Sequence, residues 1–166
     1  MTTRSHGLLD QVDNLILQAK QAPLSLPSGD GDFIQSQLVR YGCLLACAAI
    51  EQALIESIAN YGGRVGDERV KHFISEILKT GRNPQPEYIR DTMGRLEAIW
   101  GQQIFAYIEA EVGLDKIRSI VSNRNKIAHG EAVSMGVRSL MDWTPAARKL
   151  CLELNRMTRE ANPRRR

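Results

Sequence analysis

An all-α bundle of about five to seven helices is the fold class that the sequence predicts. Apolar residues recur at intervals of three and four along most of the chain, and alternating strand patterns are absent from the sequence. Glycine and proline clusters divide these patterns into segments of helix length. A chain of 166 residues with 43% hydrophobic residues can bury one core without disulfides. We therefore expect one helical domain over residues 1–160, followed by a basic tail over residues 161–166.

The first part of the chain predicts two helices. A single apolar stripe predicts a helix over residues 5–22, ended by Pro23 and by the glycines that follow. A longer helix is expected over residues 32–60, ended by the glycine pair that begins at Gly62. Its apolar surface makes it the expected central and most buried helix, through Phe33, Leu38, Tyr41, Leu44, Leu45, Ala48, Leu54, Ile55 and Ile58.

The middle of the chain predicts three further helical segments. Residues 67–80 form one between an aspartate cap and a glycine stop, and residues 83–86 then make a proline-rich turn. Residues 87–111 follow as one kinked helix or as two helices, with Gly101 as the expected break. Residues 114–129 form an amphipathic helix whose inward positions are Leu114, Ile117, Ile120, Val121 and either Ile127 or Ala128.

The last helix is expected to begin near residue 142. Gly130 is the natural stop of the preceding helix, and a loop near residues 131–139 follows it. Asp142 or Thr144 can cap the last helix, and Pro145 suits its first turn, where no backbone N–H is needed. The three arginines that end the tail are expected to be solvated, with contact to RNA phosphates as the alternative.

The three cysteines and the mild net charge limit the classes of protein to which this chain can belong. Cys43, Cys47 and Cys151 are odd in number and lack the spacing of a disulfide framework, which favours a reducing cytoplasm. Cys43 and Cys47 lie among apolar residues, so we expect core packing rather than a metal half-site with His72, and no cofactor. The uncharged apolar run over residues 42–50 is too short to span a bilayer, so no membrane contact is expected. The net charge of +3 permits binding of nucleic acid.

One short segment, residues 122–130, carries the strongest functional signal. It places Arg124 five residues before His129, one of three histidines, at the expected end of an amphipathic helix. Histidine exchanges protons near neutral pH, and arginine holds phosphate through a planar guanidinium group. Asn125 directly follows the arginine and Gly130 directly follows the histidine, and this context gives the spacing its specificity. Cleavage of RNA is the leading hypothesis, and a basic last turn without chemistry is the alternative.

Helix geometry makes one copy of this segment an incomplete site. Residues advance by about 100° along a helix, so Arg124 and His129 lie roughly 140° apart, whereas Asn125 and His129 share a face. Two copies that meet across a two-fold axis would bring two arginines, two asparagines and two histidines to one cleft. Such a cleft suits attack of a ribose 2′-hydroxyl on the neighbouring phosphorus without a metal. We therefore expect a homodimer with RNA as its substrate.

The motif in its context resembles the HEPN superfamily (higher eukaryotes and prokaryotes nucleotide-binding). The form Arg-Asn-x-Ile-Ala-His-Gly, which begins at Arg124, looks most like the RiboL-PSP-HEPN branch. The order of helices is similar over roughly residues 5–160, and Glu51 in the long second helix is a second similar feature. The resemblance implies a dimeric, metal-independent endoribonuclease in which Arg124, Asn125 and His129 are catalytic. Glu51 is a weaker candidate, either as a chemical participant or as the acceptor for a buried arginine or histidine.

The resemblance also implies a biological role and partners. Members commonly serve as bacterial toxins or in antiviral defence, so an antitoxin or other regulatory protein is an expected partner. Toxins paired with nucleotidyltransferase antitoxins carry a tyrosine two residues after the histidine, where AMP is attached. Glu131 stands at that position here, which argues against that partner. Lys126 is expected to face solvent, with phosphate contact as the alternative. The alternative functions are a non-catalytic HEPN module that binds RNA or a partner protein, and a nucleotide-binding regulator.

Overall fold

Six helices make up the described part of the chain, in a computed structural model that describes residues 3–27, 29–65, 68, 72, 74, 76 and 83–160. No strand occurs within these ranges, so the predicted all-α fold is confirmed. The helix predicted over residues 67–80 lies outside the described residues apart from four helical positions, and the tail over 161–166 lies outside them entirely. The helices are α1 (Arg4–Ser25), α2 (Asp30–Val65), α3 (Pro86–Leu96), α4 (Ala98–Tyr107), α5 (Leu114–Ala128) and α6 (Val137–Glu160), with a π-helical turn (Ile108–Val112) after α4.

α2 is the central helix, and its buried face consists largely of small residues. It packs against α1, α5 and α6. Small side chains let three neighbouring helices approach one helix closely. The predicted buried face was wrong for Phe33 and Tyr41, which lie outside it and are 65% and 51% exposed. The fully or nearly fully buried apolar positions of α2 are Val39, Cys43, Ala46, Cys47, Ala49, Ile50, Ala53, Leu54 and Ile58.

α1 continues through Pro23, where the sequence predicted its end. Proline has no backbone N–H, so the carbonyl of Ala19 loses its helical donor. The side chain of Gln35 on α2 replaces that donor, with Nε2 2.8 Å from the Ala19 carbonyl oxygen. Gly31 permits this close approach, because a Cβ there would lie 2.7 Å from Cα of Pro23. A tertiary contact therefore carries the helix past the proline to Ser25.

α2 also passes its predicted stop at Gly62 and ends at Val65. A Cβ at Gly62 would lie 2.1 Å from Cδ1 of Ile74, so this glycine makes room for a neighbouring side chain. The resulting helix is long and apolar enough to cross a membrane by length and composition, with a mean hydropathy of 1.5 in its most apolar window. The uncharged apolar run over residues 42–50 is only part of this helix, which also carries charged residues. Half of the window is buried inside the protein, which is the pattern of a core helix in a bundle.

The helical segment over residues 87–111 breaks at Glu97, not at the predicted Gly101. Glu97 has an extended backbone (φ −145°, ψ 122°), and its carboxylate accepts a hydrogen bond of 2.7 Å from the Tyr61 hydroxyl. Gly101 lies inside α4, where a Cβ would come within 2.7 Å of the Arg90 carbonyl oxygen. This glycine therefore permits close packing of α3 against α4 and does not end a helix.

α6 begins at Val137, more than a turn before the predicted start. Neither predicted cap residue acts as a cap. Asp142 pairs with Lys116 of α5 at 2.5 Å, and the Thr144 hydroxyl donates to the Leu140 carbonyl at 2.7 Å. Pro145 consequently lies inside the helix, on its exposed side, where solvent can replace the hydrogen bond that proline cannot donate.

Candidate functional site

The motif occupies the end of α5 and the turn that follows it. His129 is the C-cap of α5, and Gly130 has a positive φ of +72°. The N–H of Glu131 donates to the Lys126 carbonyl at 2.8 Å, and the N–H of Gly130 donates to the Ile127 carbonyl at 3.1 Å. These two bonds form a Schellman motif, which favours glycine at its left-handed position. The local sequence therefore determines where α5 stops and where His129 stands.

Arg124 and Asn125 contact each other one turn before His129. Nη1 of Arg124 donates to Oδ1 of Asn125 at 3.2 Å. Both side chains are half-buried, whereas those of Lys126 and His129 are exposed. The Arg124 guanidinium group therefore contacts Asn125, which lies on the same helix face as His129. Among the described residues, neither Arg124 nor His129 forms an ion pair, so a phosphate would meet no competing carboxylate on them.

Two side chains of α2 contact the motif region, one at the middle of α5 and one at the turn after His129. Sγ of Cys43 donates to the Ile120 carbonyl at 3.5 Å, which fixes the middle of α5. Nη2 of Arg40 donates to the Glu131 carbonyl at 3.3 Å, which fixes the turn after the histidine. Arg40 therefore adds a cation beside the motif. Sequence reasoning missed it, because Arg40 and Glu131 are 91 residues apart and no local pattern relates them.

Glu51 lies on the same stretch of α2, near the motif helix. Burial is the main reason that the pKa of the Cys47 thiol rises to about 12. The positive charge of Arg124 opposes this rise, and the negative charge of Glu51 adds to it. Both charges must therefore lie near Cys47 to act on its pKa. Within the described residues Glu51 makes no ion pair with Arg124.

The three cysteines are buried core residues with free thiols. Burial raises the pKa of each thiol to about 12, so all three stay protonated at neutral pH. Protonated thiols are poor metal ligands, and the described position of His72 is exposed whereas Cys43 and Cys47 are buried. Across the described ranges, no group of histidine, cysteine, aspartate and glutamate is placed to hold a metal ion.

The motif forms an exposed turn, and three described cavities lie elsewhere. The largest, of about 820 Å³, is lined by the start of α1, by Tyr107 and by the second half of α6. Smaller cavities of about 190 Å³ and 200 Å³ lie between α1 and α2 and beside the first half of α6. Arg124, Asn125 and His129 line none of these three cavities. One copy of the motif therefore presents its polar groups on a surface that a second molecule can cover.

The described chain is a helical domain whose late helix carries Arg124 and Asn125 and ends in an exposed turn at His129 and Gly130. The family model RiboL-PSP-HEPN matches residues 8–158 of this chain. The chain belongs to the RiboL-PSP-HEPN family, and the resemblance seen in its sequence is confirmed. Members of the HEPN superfamily are often ribonucleases. No curated protein and no solved structure matches the chain.

Proposed function

We propose that this protein is a metal-independent endoribonuclease whose site combines Arg124, Asn125 and His129 from two protomers. One observation carries the proposal. The chain belongs to a superfamily rich in ribonucleases, and it presents an exposed histidine beside a contacting arginine and asparagine at the end of α5. These side chains supply proton transfer, positive charge and a hydrogen bond, which are the three needs of RNA transesterification.

The reaction needs no group beyond those side chains and the RNA. The ribose O2′ attacks the adjacent phosphorus, so an O2′–P bond forms and the P–O5′ bond breaks. One His129 accepts the proton of the 2′-hydroxyl, and a protonated His129 of the second copy donates a proton to the leaving O5′. Arg124 stabilises the extra negative charge of the phosphorane, and Asn125 orients the phosphate or Arg124. The products carry a 2′,3′-cyclic phosphate and a 5′-hydroxyl.

An apolar stripe on α2 supports the dimer that this reaction needs. Ile34, Leu38, Tyr41 and Leu45 follow one another at helical spacing of four and three residues, and all are partly or largely exposed. The stripe lies next to Arg40, which contacts the turn of the motif. A symmetric contact through this stripe would bury apolar surface and bring the two motif turns towards each other.

Cleavage in EDTA tests the chemistry. Wild type, His129→Ala and His72→Ala are incubated with structured and single-stranded RNA, and the products are separated by length and end group. We expect cleavage by wild type and by His72→Ala, loss of about 10²–10⁴-fold in His129→Ala, and no cut at a 2′-deoxy position. Equal cleavage by all three proteins, or none by wild type across varied RNAs, would reject the proposal.

Sedimentation tests the dimer. We expect wild type to sediment as a dimer and Tyr41→Glu/Leu45→Glu to sediment as a monomer with greatly reduced cleavage. Phe33→Glu is the control, because Phe33 is exposed but lies off the stripe. A fully active monomer would show that one copy of the motif suffices and would reject the composite site.

A non-catalytic module that binds RNA or a partner protein is the second candidate. It is favoured by the mild net charge of +3 and by a single short motif on an exposed turn. The biological expectations remain proposals: a cytoplasmic toxin or antiviral effector held in check by an antitoxin or other protein. Poor growth on expression of wild type, relieved by His129→Ala, would favour the toxic nuclease. Indifference to that change would favour the module.

A further inference from the structure

The positive charge of this protein is concentrated at one end of the chain. Residues 148–166 contain seven arginines and lysines against two glutamates, a net charge of +5. The whole chain carries only +3, so residues 1–147 carry a net charge of −2. The described part of this segment, residues 148–160 in the second half of α6, contains four of these cations and both glutamates, a net charge of +2. A charge asymmetry along the chain favours attraction of polyanions to this end.

A groove lies along this basic segment. It is the cavity of about 820 Å³, a size typical of sites that take small molecules or one to two nucleotides. We call it the basic groove and define it by Lys149, Arg156 and Arg159 of α6, His6 of α1, and Tyr107. Two carboxylates, those of Glu153 and Glu160, also line it. The Nδ1 atom of His6 lies 2.6 Å from the Thr3 hydroxyl, which holds the imidazole at the wall of the groove.

Two cations of the basic groove have no carboxylate partner among the described residues. Arg156 is bound on both sides, with Nε and Nη2 on Glu153 at 2.8 Å and 2.6 Å and Nη1 on Glu160 at 2.5 Å. Lys149 instead donates to a backbone carbonyl, that of Glu111, at 3.1 Å. Arg159 has no ion pair within the described part of the chain. Lys149 and Arg159 are therefore the charges that an anionic ligand would meet.

Apolar surface lies between these charges. Leu152 is 51% exposed in the groove, and Tyr107 is half-buried beside it. Burial and the nearby Glu153 and Glu111 carboxylates raise the pKa of Tyr107, so its hydroxyl stays neutral and can donate a hydrogen bond. Alternating cationic and apolar groups along a groove suit a nucleic-acid strand, whose phosphates and bases alternate in the same way.

The basic groove and the motif lie near opposite ends of α6. At the motif end, the Leu140 side chain packs where a Cβ of Gly42 would stand, one turn or less from Arg40 and Cys43. Leu152 follows twelve residues later, which places it about 18 Å along the helix axis. The groove is therefore a separate surface from the Arg124–His129 turn. A strand of a few nucleotides can span this distance, since backbone phosphates are several ångströms apart.

We propose that the basic groove binds the phosphate backbone of single-stranded RNA outside the cleavage site. The identity of the ligand as RNA rests on the proposed function. The groove supplies affinity without sequence preference, because Lys149 and Arg159 can contact phosphates but present no fixed pattern to base edges.

A binding assay tests the site independently of cleavage. His129→Ala is the background, so the RNA stays intact, and a short unstructured fluorescent RNA is the probe. In this background, Lys149→Glu/Arg159→Glu is compared with Lys20→Glu/Arg95→Glu. The control changes the net charge by the same amount, at two exposed residues that line none of the three described cavities. Affinity is measured by fluorescence anisotropy over a series of salt concentrations.

We expect the groove variant to weaken RNA binding by about tenfold or more at low salt and the control by about twofold at most. The slope of log Kd against the logarithm of the salt concentration should fall by about 1.4, because two phosphate contacts are lost. Lys149→Ala/Arg159→Ala serves if the charge reversal disturbs folding.

Equal losses in groove and control variants would show a general effect of net charge and would overturn the proposal. Unchanged RNA affinity in the groove variant would also overturn it, and would leave an acidic partner protein as the ligand of the groove. Cleavage by wild type tests the proposed function separately from this binding assay. Wild type that binds RNA through the groove but never cleaves it would reject the nuclease and keep the RNA site.

Discussion

The motif turn and the basic groove divide two properties that one RNA-cleaving site would need. The motif turn holds a histidine, an arginine and an asparagine in a well-defined Schellman geometry, but it lies outside the large cavity. The basic groove has volume and uncompensated charge, but its one histidine is bound to Thr3 and its Arg156 is neutralised by two glutamates. One region suits proton transfer, and the other suits attraction of a polyanion.

From this difference we expect the proposed cleavage and the proposed RNA binding to use separate surfaces of this helical domain. A turn at a helix end positions a few side chains firmly, because backbone hydrogen bonds fix it. A groove along a helix exposes many long cations, which bind without such precision. The helix α6 connects the two regions, so its stability affects both.

Removal of the motif arginine should have the largest effect and should separate the two regions most clearly. Arg124→Ala should lower the cleavage rate at saturating RNA by roughly 10²–10³-fold, because the phosphorane loses a charged donor. RNA affinity, which we assign mainly to the basic groove, should change by about twofold at most. Single-turnover cleavage and anisotropy measure the two quantities, with Arg95→Ala as the control. Parallel loss of rate and affinity would show that the two regions do not divide these roles.

Loss of a buried side chain from α6, the helix that both regions share, should damage both regions because it lowers the stability of the protein. Leu150 is fully buried on α6, whereas Leu152 is 51% exposed in the basic groove. Leu150→Ala should lower the free energy of unfolding by about 2–5 kcal/mol, since it removes core contacts and leaves a cavity. Leu152→Ala should change it by about 0.5 kcal/mol or less. Urea denaturation followed by circular dichroism gives both values, and similar costs at the two positions would contradict the burial of Leu150.

The loss of stability at alkaline pH should compare the burial of Cys43 and Cys47 on α2, near the motif, with the burial of Cys151 on α6, near the basic groove. Burial raises the pKa of Cys43, Cys47 and Cys151 to about 12, from the ordinary value of 9.0 for a thiol. A thiol with a raised folded-state pKa stabilises the protein fully below pH 9, and this contribution is lost as the pH rises from about 9 to about 12. Each thiol should cost up to about 1.4 kcal/mol per pH unit in that range.

Denaturation at a series of pH values measures this loss. Cys43→Ala/Cys47→Ala should remove about two thirds of the slope above pH 9, and Cys151→Ala about one third. The slope is compared rather than the absolute stability, because alanine also leaves small cavities. A slope that does not change in either variant would mean that the thiols ionise equally well in the folded and unfolded chains.

Substitution in the motif turn should have a small effect on stability but a visible one on cleavage. Gly130→Ala puts a side chain at φ +72°, which should cost about 1 kcal/mol although the space around it is open. The adjacent His129 should lose its position, so cleavage should fall with RNA binding unchanged. Gly136→Ala is the matched control, since Gly136 also has open space but no positive φ. Identical behaviour of the two variants would show that the Schellman turn does not position the histidine.

Much of the fold and the motif followed from local sequence. Three-and-four spacing of apolar residues predicted helices, and Gly130 predicted the end of α5, because both depend on neighbours within a turn. The errors occurred where distant residues act on the backbone. Gln35 supplies the donor that Pro23 lacks, the Tyr61 hydroxyl binds Glu97 at the break, and Gly101 admits another helix rather than ending one.

The candidate site shows the same division. Arg124, Asn125 and His129 stand within one helix end, so their spacing predicted which of them share a face. Arg40 contacts the turn from α2, and the basic groove is assembled from α1, Tyr107 and α6. No sequence window contains those residues together, so no periodicity could relate them.

The sequence by itself determined the all-α class, the family motif and the turn that presents His129, because helix propensity and a left-handed glycine are local properties of the chain. Only the tertiary structure decided which face of α2 is buried, which glycines admit a neighbouring helix, and that the unpaired cations line a groove at the far end of α6 from the motif. The physical reason is that packing and electrostatic fields depend on distances through space, which separation along the chain does not specify.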